Sequence, residues 1–203
     1  MDGPLKNLLV LDLTRVLVGP YCTMILSDLG ARVIKVEAPE IGDDSRKFGP
    51  FIEDYSAYFM SLNRGKESIA LNLKNYDDKK ILDKILSKAD ILVENFKPGT
   101  LEKWGYGWKD VNKKYPKLIF ISKIENYLGY KNRKDIIQNS DAIMIDRGDL
   151  AAEVGVSKLS DYSDNIIKDA KNIGKSVIIA TENLNSLIYG NIPTKNDIVS
   201  IDY

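Results

Sequence analysis

Short apolar runs that alternate with amphipathic segments are the feature that most constrains the fold of this chain. LLVLDL (8–13), RVIKVE (32–37) and SIALNL (68–73) each have the length and composition of a strand. Between such runs lie segments with helical periodicity, namely GPYCTMILSDLGA (19–31) and DDKKILDKILSKA (77–89). Strands separated by helices predict an α/β fold with a mostly parallel sheet.

The same alternation continues through the second half of the chain. LIFIS (118–122), AIMIDRGDL (142–150) and SVIIATE (176–182) are predicted strands, the second of which runs into a loop at RGDL. DYSDNIIKDAKNIG (161–174) is a predicted amphipathic helix that ends at a glycine. The pattern therefore predicts further βα units after the first sheet.

The absence of histidine restricts the chemistry that this chain can perform. With no histidine among 203 residues, Ser-His-Asp and Cys-His nucleophiles and histidine-ligated zinc are excluded. Chemistry must then use carboxylates, lysines, hydroxyls or backbone amides. The one cysteine, Cys22, cannot form an intramolecular disulfide, which favours a reducing, cytoplasmic location, and we expect it to be a small buried residue.

Charge and hydropathy argue against two classes of partner. Lys and Arg total 29, as do Asp and Glu, so the sequence gives no sign of a surface for nucleic acid. No run reaches the roughly 18 apolar residues of a membrane-spanning helix, and the start of the chain favours neither a signal peptide nor an anchor. We therefore expect small-molecule partners.

Several motifs of the first half occur in the order of a known family. GPYCTMILSDLGARVIKVEAPEIGDDSR, NRGKESIALNL and DILVENFKPGTLEKWG resemble the N-terminal part of the family III CoA-transferases, the formyl-CoA and carnitine-CoA transferase group. The resemblance runs from about Leu5 to Ser122. It implies that residues 1–122 are a Rossmann-like half-domain that binds coenzyme A. The implied CoA contacts are Arg15, Val16, Leu17, Lys74, Asn95 and Phe96.

The residues themselves give partial support to those contacts. Asn95 and Phe96 follow a predicted strand, and ligands bind beyond the carboxyl ends of strands in open α/β sheets. Gly19 and Pro20 begin a predicted helix whose N–H groups could bind a phosphate, or they simply start that helix. Lys74 alone would be interpreted as a solvated lysine.

The first resemblance ends before the family's nucleophile. Family III enzymes form acyl anhydride and CoA-thioester intermediates on an aspartate in a glycine-rich context, well beyond the strand at 118–122. After that strand the sequence follows other motifs, to which Asp141 and Asp149 belong. The resemblance therefore implies a CoA-binding scaffold that lacks the aspartate needed to transfer CoA between carboxylic acids.

The second half resembles a different enzyme. KIEN, SDAIMIDRGDLAAEVG, GKSVIIATENLNSLI and PTKNDI resemble, from about residue 119, three successive βα units of the pyruvate kinase TIM barrel. This implies that residues 123–203 form a partial barrel. Within that segment, the residue pattern itself predicts a helix at NLNSLIYG. It also implies phosphoenolpyruvate as substrate and Mg²⁺, with K⁺ as a second cation, as cofactors.

The chemistry of these motifs is that of phosphoryl transfer. Glu125 and Asp149 follow predicted strands, and their oxygens suit Mg²⁺. Lys123 could act as the catalytic cation on the transferring phosphoryl group. We expect the strand ends to place four residues along one edge of the sheet, namely Lys123, Glu125, Asp149 and Thr181. The implied substrate contacts are Arg147, Gly148 and Thr181.

Three departures separate this segment from the pyruvate kinase pattern. Asp146 stands where alanine is usual, which adds a negative charge beside a site for a trianion. Ala151 and Glu182 replace the usual glycine and glutamine. The remaining barrel strands, which a closed barrel requires, have no counterpart.

Three hypotheses follow. The first is a CoA-transferase-like protein that binds CoA or acyl-CoA, acting as a homo-oligomer or with a partner chain that supplies the missing parts. The alternative is Mg²⁺-dependent binding of phosphoenolpyruvate and phosphoryl transfer. The third is an inactive composite or truncated fusion whose two half-folds share one sheet.

Overall fold

The structure, a computed structural model, describes residues 3–97, 99–180 and 190. The chain divides into two compact units between Leu118 and Ile119, a few residues before the predicted boundary. Each unit contains its own parallel sheet and its own apolar core.

The first unit is built from strands and helices in alternation. Its strands are β1 (Leu9–Asp12), β2 (Arg32–Glu37), β3 (Phe51–Ile52), β4 (Tyr55–Ser56), β5 (Glu67–Ala70) and β6 (Ile91–Val93). Its helices are α1 (Val18–Asp28), α2 (Ala57–Asn63), α3 (Tyr76–Leu86), α4 (Thr100–Trp104) and α5 (Trp108–Lys114), with a 3₁₀ turn at Asp44–Lys47.

The main sheet of this unit has the strand order β5-β2-β1-β6, and all of its pairs are parallel. Leu9 pairs with Arg32 on one side of β1, and Val10 pairs with Ile91 on the other. The order reverses at β1, so the loops after β1 and β6 leave the sheet in different directions and open a crevice there. Strands β3 and β4 form a separate antiparallel hairpin.

The core of the first unit lies between the sheet and its helices. Leu11 of β1 and Leu82 and Leu86 of α3 are completely or almost completely buried. Helix α3 begins at Tyr76 because the Asn75 side chain accepts the Asp77 N–H at 2.8 Å, which satisfies a first-turn donor. Apolar residues then recur at helical spacing on the face that packs inward.

The second unit repeats the alternation on a smaller scale. Its elements are β7 (Ile121–Ile124), α6 (Tyr127–Lys131), α7 (Arg133–Gln138), β8 (Ala142–Asp146), α8 (Arg147–Val154), α9 (Val156–Asn172) and β9 (Ser176–Ala180). The strand order is β7-β8-β9, again parallel. Its core is an apolar cluster that includes Ile143, Ile145 and Ile166.

The predicted α/β class with mostly parallel sheets is confirmed, but the hypothesis of one shared sheet is wrong. Among the described strands, β7 pairs with β8 and belongs to the second sheet. The apolar run at 118–122 is divided: Leu118 packs in the first core, while Ile119 is 73% exposed. The first residue of the second core is Ile124. Strand β7 therefore spans Ile121–Ile124 rather than the predicted 118–122.

Two local predictions are also wrong, and two lie outside the described residues. RGDL forms the first turn of α8 rather than a loop, because the Asp146 side chain accepts the Asp149 N–H and caps the helix. Cys22 is exposed rather than buried. The predicted helix at 183–190 and the PTKNDI motif fall in segments that the structure does not describe, apart from Gly190.

Candidate functional site

A cavity of about 560 Å³ lies at the carboxyl ends of the parallel strands of the first unit. Segments that follow β1, β2, β5 and β6 all contribute to its wall. Polar, charged and aromatic side chains line it, among them Thr14, Arg15, Glu37, Lys74, Phe96 and Trp104. The cavity therefore occupies the position where open α/β sheets bind ligands.

The structure brings some of the predicted contact residues together here. Arg15, Lys74 and Phe96 line the cavity, whereas Val16 and Leu17 follow Arg15 in the same loop without forming the wall. Asn95 also lies outside the wall. Its carboxamide accepts the Arg15 N–H at 2.9 Å and donates to the Arg15 carbonyl at 2.8 Å, so it holds the loop from behind.

A buried ion pair that sequence reasoning missed forms part of the cavity wall. The Lys35 ammonium lies 2.9 Å from the Asp43 carboxylate and donates to the Thr14 carbonyl at 2.8 Å. Burial alone would raise the pKa of Asp43, but the Ser45 N–H and the Lys35 ammonium hold that pKa below its usual range. The available signal was the lysine within RVIKVE, since a buried strand tolerates such a charge only when it is paired.

A second buried ion pair supports the loop after β1. The Lys66 ammonium lies 3.1 Å from Asp12, whose carboxylate also accepts the Thr14 N–H at 2.8 Å and the Thr23 hydroxyl at 2.6 Å. Lys66 donates further to the Pro20 carbonyl at 2.9 Å. Burial lowers the pKa of Lys66 below its ordinary value, and the Asp12 carboxylate opposes that shift. Each charge is thus paired and hydrogen-bonded.

Glu37 also lines the cavity and is held by several hydrogen-bond donors. Its carboxylate accepts two hydrogen bonds from Arg46, at 2.6 and 2.8 Å, and one from Ser68 at 2.7 Å. Burial acts to raise the pKa of Glu37, but these donors outweigh it and lower that pKa. At the rim, the Arg15 guanidinium pairs with Asp44.

Gly19 has a packing role in this region. A Cβ atom at Gly19 would lie 2.3 Å from Thr14 Cβ, which no real contact allows. The glycine therefore permits the first turn of α1 to approach the loop after β1. Close packing accounts for it without a phosphate.

In the second unit, charged residues gather at the carboxyl ends of β7 and β8. The Lys123 ammonium lies 2.6 Å from Glu125, 2.8 Å from Asp146 and 3.7 Å from Asp149. Burial acts to lower the pKa of Lys123, but hydrogen bonds to Asp146 and Glu125 raise it above its ordinary value. Asp146, which was not predicted as a ligand, is thus the buried member of the cluster.

The other predicted residues of this unit are placed as follows. Arg147 and Gly148 lie in the first turn of α8, next to Asp149. Thr181 lies outside the described residues. The predicted edge is therefore described for Lys123, Glu125 and Asp149, which the structure brings together.

The carboxylates of this cluster can be compared with the ligands that a divalent cation requires. Oxygens of Glu125, Asp146 and Asp149 lie within 4.8 Å of one another, and carboxylate oxygens are the ligands that Mg²⁺ prefers. The Lys123 ammonium, however, lies at ion-pair distance from the same three carboxylates. The carboxylate oxygens fit a hard cation. The Lys123 ammonium already neutralises part of the negative charge of these carboxylates.

Fold and cavity define the first unit as an open-sheet α/β protein with a ligand-sized cavity at the carboxyl edge. The sequence pattern of CoA-transferase family III matches residues 5–138, which is more than half of the chain. The chain therefore belongs to CoA-transferase family III. None of the described helices is long and apolar enough to cross a membrane.

Individual relatives agree with this assignment. The acetyl-CoA:oxalate CoA-transferase of Acetobacter aceti is 44% identical over 175 residues, covering 81% of this chain and 44% of the relative. The succinyl-CoA:glutarate CoA-transferase of Mus musculus is 48% identical over 120 residues, covering 59% of this chain and 28% of the relative. The chain thus spans less than half the length of these curated relatives.

The fold also matches a solved structure. A CAIB/BAIF family protein from Brucella suis has a TM-score of 0.58 and 29% identity, covering 88% of this chain and 53% of that one.

The second resemblance is also supported. The pattern of the pyruvate kinase barrel domain matches residues 109–202. It begins before the predicted start at residue 119, and the CoA-transferase match ends beyond the predicted end at residue 122. Residues 109–138 thus match both families.

Proposed function

We propose that the first unit binds coenzyme A or an acyl-CoA in the cavity at the carboxyl edge of its sheet. The observation that supports this most directly is that Arg15, Lys74 and Phe96, three of the contacts implied by the family resemblance, line that one cavity. The family to which the chain belongs acts on CoA esters, as the names of its relatives state.

The cavity offers complementary chemistry for the nucleotide end of such a ligand, which carries both the phosphates and the adenine. Among the described residues, no carboxylate pairs with the Lys74 ammonium, so it is available to a phosphate of CoA. Phe96 and Trp104 pack edge to face, with ring centroids 5.2 Å apart, and provide apolar surface for the adenine. Trp104 is a contact that sequence reasoning did not predict.

We propose binding without transfer for this chain acting alone. Within the residues given, the resemblance provides no counterpart for the family's aspartate nucleophile. Transfer of CoA between carboxylic acids would then use an aspartate from outside these residues, for which a partner chain or a second copy is one source. The single cysteine supports a cytoplasmic location for such an assembly.

Thermal unfolding with increasing CoA tests the binding proposal. Ligand at 100 times its Kd should stabilise the protein by about 2.7 kcal/mol. Lys74→Ala should weaken that response, whereas Lys88→Ala, an exposed lysine outside the cavity, should leave it unchanged. A wild-type protein that CoA does not stabilise would overturn the proposal.

A second candidate function is supported by the cluster in the second unit. Lys123, Glu125 and Asp149 come together as the pyruvate kinase resemblance implies. Glu125 and Asp149 would hold Mg²⁺, which would supply charge neutralisation for a phosphorylated carboxylate such as phosphoenolpyruvate. Lys123 would bind the phosphoryl oxygens.

Thermal shifts with Mg²⁺ and phosphoenolpyruvate test this second candidate. Glu125→Gln should abolish a Mg²⁺-dependent shift and leave the CoA response intact, while Asp161→Asn, an exposed carboxylate on α9, should change neither. Loss of both responses in Glu125→Gln would contradict two independent sites. If neither ligand stabilises the wild-type protein, the inactive composite is the remaining hypothesis.

A further inference from the structure

The loop between β1 and α1 contains an unusual backbone conformation. Val16 has a φ of 72°, in the left-handed region that β-branched residues rarely adopt. Such conformations persist only where surrounding contacts determine them, and they concentrate at functional sites. The loop that carries Val16 also carries Arg15, which lines the cavity.

Side chains from outside the loop fix its backbone on both sides of Arg15. The Thr14 N–H donates to Asp12 at 2.8 Å, and the Thr14 carbonyl accepts from Lys35 at 2.8 Å. Asn95 binds both the N–H and the carbonyl of Arg15. These bonds therefore satisfy four consecutive backbone groups with side chains rather than with another strand.

The left-handed residue itself is held by the buried ion pair. The Val16 N–H donates to Asp43 Oδ1 at 3.1 Å, and the other carboxylate oxygen of Asp43 faces the Lys35 ammonium. Lys35 in turn binds the Thr14 carbonyl. The Lys35–Asp43 pair thus binds the loop backbone at Thr14 and at Val16, on either side of Arg15.

A purely structural role would not explain why charges occupy this place. Replacing a buried ion pair by apolar residues is often neutral or stabilising, so such a pair is weak support for stability on its own. What the pair provides here is a fixed loop shape beside the cavity. Fixing a binding loop in its bound shape increases affinity because less freedom is lost on binding.

We propose that Lys35, Asp43 and Asn95 are positioning residues that hold the Thr14–Leu17 segment in the shape that binds coenzyme A. The inference rests on the proposed CoA-binding function. Without these anchors, Val16 returns to negative φ, and the loop spends most of its time in shapes that do not bind. If about one molecule in ten keeps the competent loop, the apparent Kd rises about ten-fold.

Calorimetric titration with CoA, at a temperature where every variant is folded, tests the proposal. Asp43→Asn should raise the Kd about ten-fold. The matched control is Asp90→Asn, because Asp90 also accepts a backbone N–H, that of Leu9 at 2.8 Å, but at the opposite edge of the sheet. The control should bind CoA as the wild-type protein does.

The decisive variant adds Val16→Gly to Asp43→Asn. Glycine adopts positive φ without steric penalty, so it should restore part of the lost affinity if the anchors act by holding this conformation. Where Asp43→Asn fails to fold, Asn95→Ala, at an exposed residue, replaces it with the same rescue. Glycine at position 16 cannot replace a direct contact between Asn95 and CoA, so rescue separates positioning from contact.

The outcomes separate the two proposals. A wild-type protein that binds no CoA overturns the proposed function and this inference with it. Binding by the wild-type protein with an unchanged Kd in Asp43→Asn overturns the inference alone, as does a weakened Kd that Val16→Gly does not improve. Weakened binding with rescue supports it.

Discussion

Lysines held by carboxylates stand at the carboxyl edges of both sheets, yet the two regions differ in burial. In the first unit the side chains of Lys35 and Asp43 are each 1% exposed. In the second unit those of Lys123 and Glu125 are 39% and 42% exposed, although the ammonium and carboxylate are closer, at 2.6 Å. Distance therefore does not decide what such a pair contributes.

The difference lies in what happens when one partner is removed. A buried charge that loses its partner cannot be solvated, and the desolvation penalty remains uncompensated. A half-exposed charge is solvated again by water and counterions. The buried pairs also bind backbone groups of the loop at Thr14 and Val16, so their loss changes the shape of the site.

Removing a buried partner gives the largest expected effect. Asp12→Ala leaves the Lys66 ammonium buried without its carboxylate and should lower the free energy of unfolding by about 3–5 kcal/mol. Urea unfolding measures this. Lys80→Ala, which breaks an exposed pair with Asp77, should lower it by less than about 1 kcal/mol. Equal losses in the two variants would show that burial is not the deciding factor.

A glycine-to-alanine substitution in each unit compares how closely the two units are packed around that glycine. Gly19→Ala places a methyl group against Thr14 and should destabilise by about 1–3 kcal/mol, although alanine is the better helix former. Gly129→Ala, whose methyl group would lie 3.3 Å from the nearest atom, should change stability by less than about 1 kcal/mol. Thermal unfolding of both variants measures the difference; a neutral Gly19→Ala would contradict the close approach of α1.

Acid should affect the first unit through Glu37 and Asp43. Because the pKa of each is lower in the folded protein than in the unfolded chain, their stabilisation is present above the ordinary pKa of about 4 and is lost as pH falls through the folded value. Each carboxyl then contributes a slope of at most about 1.4 kcal/mol per pH unit. Urea midpoints between pH 7 and pH 3 measure this, and Glu37→Gln should reduce the slope. A slope that Glu37→Gln does not alter would refute the assignment.

The smallest effect is expected for the exposed cluster. Lys123→Met should lower the free energy of unfolding by about 1 kcal/mol or less, since the side chains of Lys123, Glu125 and Asp149 are 39%, 42% and 67% exposed. The difference between wild type and variant should shrink as NaCl increases, because salt screens exposed charges. A loss as large as that of Asp12→Ala, insensitive to salt, would remove the contrast between the two regions.

The sequence predicted the strands better than it predicted their connections. RVIKVE was predicted at the bounds that β2 has, because its apolar residues are buried in a parallel sheet. LIFIS was assigned to one strand, although Leu118 packs in the first core and Ile119 and Ile121 are exposed, a difference that local periodicity cannot reveal. The helix at RGDL was missed because Gly148 suggested a loop. The N-cap signal was Asp146, three residues before Asp149.

The candidate site was predictable in part for a similar reason. Loop residues such as Arg15 and Phe96 follow strands, and that position is visible in the sequence. The pairing of Lys35 with Asp43 is not visible, because it depends on how the chain returns toward the sheet after β2. Trp104 was missed because nothing in its local pattern places it beside the loops.

The contact between Asn95 and Arg15 has a consequence for biosynthesis, since the two residues are 80 positions apart. While the chain emerges from the ribosome, α1 and β2 can form before Asn95 exists outside the exit tunnel. The carboxamide can grip the loop only after the strand before it has been added to the sheet, and such non-local contacts form slowly. A nascent chain that stalls before Asn95 emerges would contain most of the first sheet, but its loop at Arg15 would not yet be fixed by that side chain.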